Sequence, residues 1–249
     1  MMNNMTDTVK QLLIINVLFF IGSYLVLQAN ELLSLHYFES DGFKFWQPIT
    51  HMFMHGSPMH IFFNMFALIS FGSALEHFWG AKKFLFFYLS CGLGAAIIHS
   101  GVNYYHFHDA QNFLIQSGVS VQDIQTLLNG GSVNINASDT ALLQNYVNQM
   151  DDAYNTPAVG ASGAIYGLLV AFAFMFPNAE LMMMFIPVPV KAKYFVPVIV
   201  LLDLFSGVTG ISLFGGNIAH FAHVGGALIG FIMMWYWKKN QFDKNRWDR

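Results

Sequence analysis

Residues 158–176, AVGASGAIYGLLVAFAFMF, form an apolar stretch with one serine, Ser162, near its start. A second apolar stretch, residues 219–237 (AHFAHVGGALIGFIMMWYW), carries His223 close to its beginning. Each stretch approaches the roughly 20 residues that a helix needs to cross a bilayer. Since lipid offers no water to a polar side chain, a serine and a histidine at such positions need a partner or a function. The two stretches therefore predict chemistry inside a membrane.

The composition of the whole chain supports a membrane protein. Of its 249 residues 55% are hydrophobic and 10% are charged, whereas a soluble domain has about 25% charged residues. The apolar stretches predict an all-α membrane protein with six transmembrane helices. The predicted spans are residues 12–29, 58–79, 84–102, 158–176, 194–213 and 219–237.

The basic residues predict how the spans are oriented. Of the 11 Lys and Arg residues, all but Lys44 precede span one, follow span six, or lie between spans two and three or four and five. The positive-inside rule then places both termini in the cytoplasm. We expect one transmembrane domain over residues 1–237 and a basic cytoplasmic tail over residues 238–249. Span one could instead be a signal peptide, but Leu27 and Ala29 make a poor cleavage site.

One class of partner and one kind of crosslink are disfavoured by the composition. The net charge of −3 and the scattered basic residues give no sign of nucleic-acid binding. The single cysteine, Cys91, allows no internal disulfide. The expected environment is the lipid bilayer, and the oligomeric state is left open.

Two segments are predicted to lie outside the membrane. Residues 30–57 are rich in aromatic residues and histidine, which suits a loop lying in the membrane interface. Residues 103–157 contain five aspartates and no Lys or Arg, and we interpret them as a polar insertion between helices three and four. We expect one or two short amphipathic helices there, one of them over residues 138–150 with Ser138 as its cap, around a flexible Gly130-Gly131 turn. A solvated spacer without catalytic duty is the expected role.

The unusual polar residues lie near the starts of spans two, four and six, which all run from outside to inside. Ser162 in span four can act as a nucleophile if a base such as His223 in span six activates it. His60 and Asn64 are four positions apart in span two, hence on one helix face, and both can donate hydrogen bonds to an oxyanion. The backbone N–H of Ser162 could add a third donor.

The residues around Ser162 suit a chain that turns sharply into a helix. Pro157 and Gly160 fit such a turn, and Tyr166, one turn after Ser162, could pack against the His223 ring. Gly160 and Gly163 taken alone equally suit close packing of two membrane helices.

Taken together, these motifs resemble the rhomboid intramembrane serine proteases. In that family Gly-x-Ser-Gly starts the fourth helix, His-x-x-x-Asn lies on the second, and Ala-His-x-x-Gly-x-x-x-Gly runs along the sixth. The corresponding residues are Gly160 to Gly163, His60 to Asn64, and Ala222-His223 with Gly226 and Gly230. The match covers roughly residues 43–237. Gln47 departs from the pattern, because family members commonly have arginine after the tryptophan, which leaves the anchoring of the first loop in question.

The resemblance implies a function and a role for each matched residue. It implies cleavage of transmembrane segments of other membrane proteins by a dyad of Ser162 and His223, without a catalytic carboxylate or a cofactor. His60 and Asn64 would form the oxyanion hole, with Gly226 letting helix six approach helix four. The family's architecture further suggests a bacterial cytoplasmic membrane, with the active site opening toward the outside.

Asp203, midway through span five, is the main residue that the resemblance does not explain. An intramembrane carboxylate is a functional candidate by default, and a third triad member is conceivable. Because the resemblance implies a dyad, we expect instead a structural hydrogen bond or a protonated, buried carboxyl.

Three other functions fit the sequence less well than a protease. A metal site could draw on several histidines, but the sequence has no His-Glu-x-x-His motif, so we expect no metal. A rhomboid-like protein that binds membrane clients without cleaving them usually lacks the nucleophile or the base. A metal or proton transporter would need a pathway richer in carboxylates. The histidines in question are His51, His55, His60, His220 and His223.

Overall fold

The structure is a computed structural model that describes residues 5–133, 140–183, 186–211 and 219–240. Most of these residues are helical. The helices are α1 (Asp7–Leu25), α2 (Ala29–Leu33), α3 (Gln47–Thr50), α4 (Pro58–Ala67), α5 (Ser73–Trp79), α6 (Ala81–Gln116), α7 (Val121–Leu128), α8 (Thr140–Asn155), α9 (Ser162–Met175), α10 (Ala192–Thr209) and α11 (His220–Asn240).

Within the described residues, four helical segments are long and apolar enough to cross a membrane. They are α1, the combined segment Pro58–Trp79, α6 and α10. The helix α9 is apolar but has only 14 residues, and α11 has 21. Each of the six predicted spans thus overlaps a helix. Four of these helical segments have the length and hydropathy expected of a helix that crosses the membrane. The predicted tail beyond Asn240 lies outside the described residues.

The second predicted span is one continuous but irregular helix. Ser57 caps α4 by accepting a hydrogen bond from the backbone N–H of His60, and Pro58 occupies the first turn. A π-helical segment, Leu68–Gly72, then joins α4 to α5. Glu76 in α5 accepts hydrogen bonds from the backbone N–H groups of Thr8 (3.1 Å) and Val9 (3.0 Å), which caps the start of α1. Glu76 therefore has a structural role.

The helix α6 is much longer than the predicted span 84–102. Its 36 residues extend about 54 Å at 1.5 Å per residue, well beyond a hydrocarbon layer of about 30 Å. The prediction ended where polar residues begin. One hydrophobic core includes Phe84 of α6 and Leu168 of α9. The helix α6 continues because its later residues Phe107, Ala110 and Leu114 pack in a second, separate hydrophobic core.

That second core is built by the segment predicted as a polar insertion. The amphipathic helices α7 and α8 pack on the end of α6 through buried side chains, among them Ile124, Leu143 and Met150. Gly130 and Gly131 close α7 with hydrogen bonds from their N–H groups to Leu127 O and Thr126 O, the pattern of a Schellman motif. The predicted flexible turn at Gly130-Gly131 is therefore the hydrogen-bonded end of α7. The predicted cap Ser138 lies outside the described residues.

The helices α9 and α11 pack against each other through glycines. A Cβ atom on Gly226 would lie 1.8 Å from the carbonyl oxygen of Gly163, and one on Gly230 would lie 2.7 Å from the Cα of Gly167. Any side chain at these positions would force the helices apart. The glycine face of α11 thus serves internal packing, as the resemblance implied for Gly226.

Between α9 and α10 the chain forms a two-stranded antiparallel hairpin. Strand β1 (Glu180–Met183) pairs with β2 (Ile186–Lys191), with Glu180 opposite Lys191 and Leu181 opposite Val190. The predicted all-α fold class therefore needs a small correction. The hairpin forms because β2, IPVPVK, alternates β-branched residues with prolines, which suit an edge strand but not a helix.

Candidate active site

Ser162 is the first residue of α9, held there by the loop before it. Gly160 has φ +127°, a conformation that favours glycine, and its N–H donates to the carbonyl of His51 at 2.9 Å. Ala158 exchanges two backbone hydrogen bonds of 2.9 Å with Leu35 in the first loop, residues 30–57. These backbone hydrogen bonds therefore hold the turn into α9 in place. Ser162 lies at the positive end of the helix dipole.

His223 contacts Ser162 across the interface between α11 and α9. The distance from His223 Nε2 to Ser162 Oγ is 2.8 Å, which is a hydrogen bond. The ring of Tyr166 stacks on the imidazole with 4.3 Å between centroids and 14° between planes. The glycine contacts of the two helices bring the pair together, and the stacking fixes the rotation of the imidazole.

Asp203 of α10 lies on the other side of His223. Its Oδ1 atom is 3.2 Å from His223 Nδ1 and 2.6 Å from His220 Nδ1. The hydroxyl of Tyr166 donates to Oδ2 of the same carboxylate. The expected structural hydrogen bonds are present, but one of them reaches the histidine that contacts Ser162. A carboxylate at this position is not part of the dyad that the resemblance implied.

His60 lies beside the Ser162 turn. A Cβ atom on Gly160 would be 2.8 Å from His60 Nε2, so only glycine lets the imidazole come this close. The N–H of Gly56 points at His60 Nδ1 with a long distance of 3.4 Å. If Nδ1 accepts, Nε2 carries the proton, and a donor then faces the turn.

Asn64 is buried one turn after His60, on the same helix face. Its Nδ2 atom donates to the His60 carbonyl at 3.1 Å, which uses one of the two N–H groups of the amide. The second N–H remains available for another acceptor. The structure thus places His60 beside Gly160, and Asn64 next to His60.

The first outer loop is anchored by Gln47, the residue that departs from the family pattern. Its side chain is 0% exposed. Its Oε1 accepts from the N–H of His36 at 3.2 Å, and its Nε2 donates to the Gly42 carbonyl at 2.9 Å. The side-chain amide of Gln47 therefore holds the loop together from its buried side. The departure at Gln47 leaves the loop anchored.

A small cavity lies behind Ser162 and was not anticipated from the sequence. Its volume is ≈ 10 Å³, about enough for one water molecule, and its lining includes His51, His99 and Gly160. Burial lowers the pKa of His51 to about 4, so this imidazole is neutral near pH 7. His99 was not singled out from the sequence, although it is a polar residue within an otherwise apolar span. The same feature pointed to Asp203.

The histidines are not arranged as a metal centre in the part of the chain that the structure describes. No group of three or more His, Cys, Asp or Glu residues there could hold a metal ion. His55 donates from Nδ1 to the Phe53 carbonyl at 3.3 Å and packs edge-on against His60. His220 is bonded to Asp203 as described above.

The fold and the Ser–His contact define a helical membrane protein with a polar site between its helices. A family model, the Rhomboid domain, matches residues 42–240. This range contains Ser162, His223 and Asp203, together with His60 and Asn64. The chain belongs to the rhomboid family.

Several curated relatives carry rhomboid names. The chain is 35% identical to Rhomboid protein 1, mitochondrial, of Saccharomyces cerevisiae over 83 residues, which are 33% of this chain and 23% of that protein. It is 26% identical to RHOMBOID-like protein 12, mitochondrial, of Arabidopsis thaliana over 217 residues, 86% of this chain and 52% of that protein. It is also 26% identical to the human Presenilin-associated rhomboid-like protein, mitochondrial, over 74% of this chain and 35% of that protein. The matches thus span about half or less of the relatives' own lengths.

Proposed function

We propose that this protein is an intramembrane serine endopeptidase that cleaves transmembrane segments of other membrane proteins. Membership of the rhomboid family suggests protease-like function in general. The observation that carries the specific proposal is the 2.8 Å contact between Ser162 Oγ and His223 Nε2 at the interface of two apolar helices. A serine hydroxyl within hydrogen-bond reach of an imidazole is the arrangement that acyl transfer needs.

In the proposed reaction His223 activates Ser162. As Oγ attacks the scissile carbonyl, its proton passes to Nε2 of His223, and a tetrahedral intermediate forms. The imidazolium then gives this proton to the leaving amine, and the acyl-enzyme remains. Water, deprotonated by the same imidazole, hydrolyses the ester and restores the hydroxyl of Ser162.

The proposed oxyanion hole consists of His60, Asn64 and the backbone N–H of Ser162. The first N–H groups of a helix have no partner within the helix, so that of Ser162 can point at an anion. His60 is placed beside Gly160 and the amide of Asn64 is buried next to it. Donors that are already in place cost no reorganisation when the charge develops.

The length of α9 supports a site below the membrane surface. Its 14 residues extend about 21 Å, less than the roughly 30 Å of a hydrocarbon layer. With the inner end of α9 at the inner boundary, Ser162 lies within the layer. This depth suits a substrate whose scissile bond is in or near a transmembrane segment. Such a segment must unwind locally, since a helical amide is shielded by its own hydrogen bonds.

The membrane in which the protein works is a separate part of the proposal. That it is an integral membrane protein follows from its family and its apolar helices. The architecture of the family that the sequence resembles implied a bacterial cytoplasmic membrane, whereas the curated relatives are named as mitochondrial proteins. Fractionation of the source cells, with immunodetection of the protein, tests this prediction.

The central experiment is cleavage of a single-span substrate by purified protein in liposomes. We expect Ser162→Ala and His223→Ala to lose cleavage and fluorophosphonate labelling. The controls are Ser70→Ala and His77→Ala, which make the same changes at exposed positions toward the other end of the second span and should keep activity. Cleavage that persists in Ser162→Ala would overturn the proposal. A wild type that neither cleaves nor reacts with a fluorophosphonate would instead favour a client-binding role.

A further inference from the structure

Within the residues that the structure describes, Asp203 is the one acidic side chain that touches the candidate active site. It is 8% exposed and lies on α10, which carries none of the residues assigned to the dyad or the oxyanion hole. Its Oδ1 faces Nδ1 of His223 at 3.2 Å, the ring nitrogen opposite the one that contacts Ser162. Ser162, His223 and Asp203 are thus connected in series through hydrogen bonds.

The two contacts of His223 together determine which nitrogen carries the proton. A carboxylate can only accept, so Nδ1 of a neutral His223 must be protonated to bond Asp203. The other nitrogen, Nε2, is then unprotonated and accepts from the hydroxyl of Ser162. This is the tautomer in which the imidazole can take the serine proton.

The carboxylate itself is held in place by two further donors. His220, one turn before His223 on α11, lies 2.6 Å from Oδ1, and the hydroxyl of Tyr166 donates to Oδ2. The same Tyr166 stacks on His223. Tyr166 therefore fixes both the base and the carboxylate, and Asp203 has no freedom to turn away from Nδ1.

We propose that Asp203 is a positioning residue that orients His223 for catalysis, so that the site works as a Ser162–His223–Asp203 relay. This inference rests on the serine protease function proposed above. The carboxylate accepts the Nδ1–H bond throughout and remains ionised. When Oγ of Ser162 loses its proton to Nε2, the positive charge on the imidazolium is balanced by Asp203. The proton on Nδ1 does not leave, and that on Nε2 goes to the leaving amine.

A purely structural role is the alternative, because Asp203 also joins α9, α10 and α11 through its three partners. The two roles differ in what a substitution changes. If Asp203 is purely structural, its substitution changes the amount of folded protein and the melting temperature. A positioning residue affects the turnover of protein that is folded and binds substrate normally.

The test compares Asp203→Asn with wild type in the liposome assay and in fluorophosphonate labelling. We expect kcat to fall about 10- to 100-fold with KM within twofold of wild type. This loss is smaller than the roughly 10⁴-fold effect in soluble Ser-His-Asp proteases, because Tyr166 also holds the imidazole. The labelling rate should fall by a similar factor while the final labelled fraction stays the same. The control is Ser206→Ala, a buried polar position one turn along α10, which should keep wild-type kcat.

The outcomes separate this inference from the function on which it rests. If Asp203→Asn keeps kcat within twofold while Ser162→Ala is inactive, the protease proposal stands and the relay is overturned. If wild type itself is inactive, the proposed function falls and the relay with it.

Tyr166→Phe provides a second variant should Asp203→Asn fail to fold. It keeps the ring that stacks on His223 and removes only the hydroxyl that bonds Asp203. A two- to fivefold lower kcat with unchanged KM supports the relay, and an unchanged kcat contradicts it.

Discussion

The protein has two packed regions that are built in opposite ways. Where α9 meets α11, glycines bring the backbones into contact and leave no room for a Cβ atom. Where α6 meets α7 and α8, the core consists of large side chains such as Phe107 and Met150. Backbone contact gives a separation that side-chain rearrangement cannot change, which suits a hydrogen bond between two helices. A core of large side chains can relax around a change, which suits a region away from the chemistry.

The largest effect is expected from Gly226→Val, which breaks the contact between α9 and α11. Its side chain would collide with the Gly163 carbonyl, and the helices would have to separate. We expect kcat/KM to fall at least about 100-fold, since a displacement of about 1 Å at a reactive pair has such a cost. The labelling rate and the melting temperature in detergent measure the effect. Gly101→Val is the control, because a Cβ there meets nothing within 4 Å; equal losses in both variants would contradict this account.

A smaller effect is expected from Gly160→Ala, which changes the turn before Ser162. The added Cβ would lie 2.8 Å from His60 Nε2, and φ of +127° is strained for alanine. We expect a loss of about 10- to 100-fold in kcat, comparable to or below the loss of one oxyanion donor. Gly118→Ala, at φ +91° in the outer region, has similar backbone strain without a neighbour. If Gly118→Ala loses as much activity as Gly160→Ala, backbone strain alone is responsible for the loss and His60 is not involved.

Gln47→Ala tests the loop that connects the two regions. It leaves the N–H of His36 and the carbonyl of Gly42 without their buried partner, at a cost of about 1–3 kcal/mol. We expect a lower melting temperature and a few-fold loss of activity. An exposed glutamine change, Gln122→Ala in α7, should leave both quantities unaltered.

The smallest effect on activity is expected from Met150→Ala in the second core. The cavity it creates should destabilise that core by about 2–5 kcal/mol. Faster hydrogen exchange in α7 and α8 would report the loss. Turnover should stay within about twofold of wild type if the segment is a spacer. A large loss of turnover would show that this core supports the site and would overturn the spacer interpretation.

The sequence pointed to much of the candidate site, since polar residues inside apolar spans are rare and each needs an explanation. Ser162, His223, His60 and Asn64 were singled out for this reason together with their spacing. Asp203 was noted for the same reason, but its partner was not identified. The contact is between α10 and α11, and no spacing along the chain relates residue 203 to the rotation of His223.

The extent of the elements was less predictable. Hydropathy ends the third span at about residue 102, but α6 continues to Gln116 because a tertiary core covers it. The closure of the first loop was also missed, because the role of Gln47 depends on backbone groups that only the folded loop brings around it.

The membrane class, the family motifs and the residue types of the site can therefore be read from the sequence, since hydropathy and local spacing are properties of the chain. The tertiary structure decided which atoms meet. Glycine contacts place Ser162 against His223, and the crossing of α10 places Asp203 behind it. The physical reason is that hydrogen bonds between helices depend on their separation and rotation to within a few tenths of an ångström, and packing across the whole helix bundle determines both.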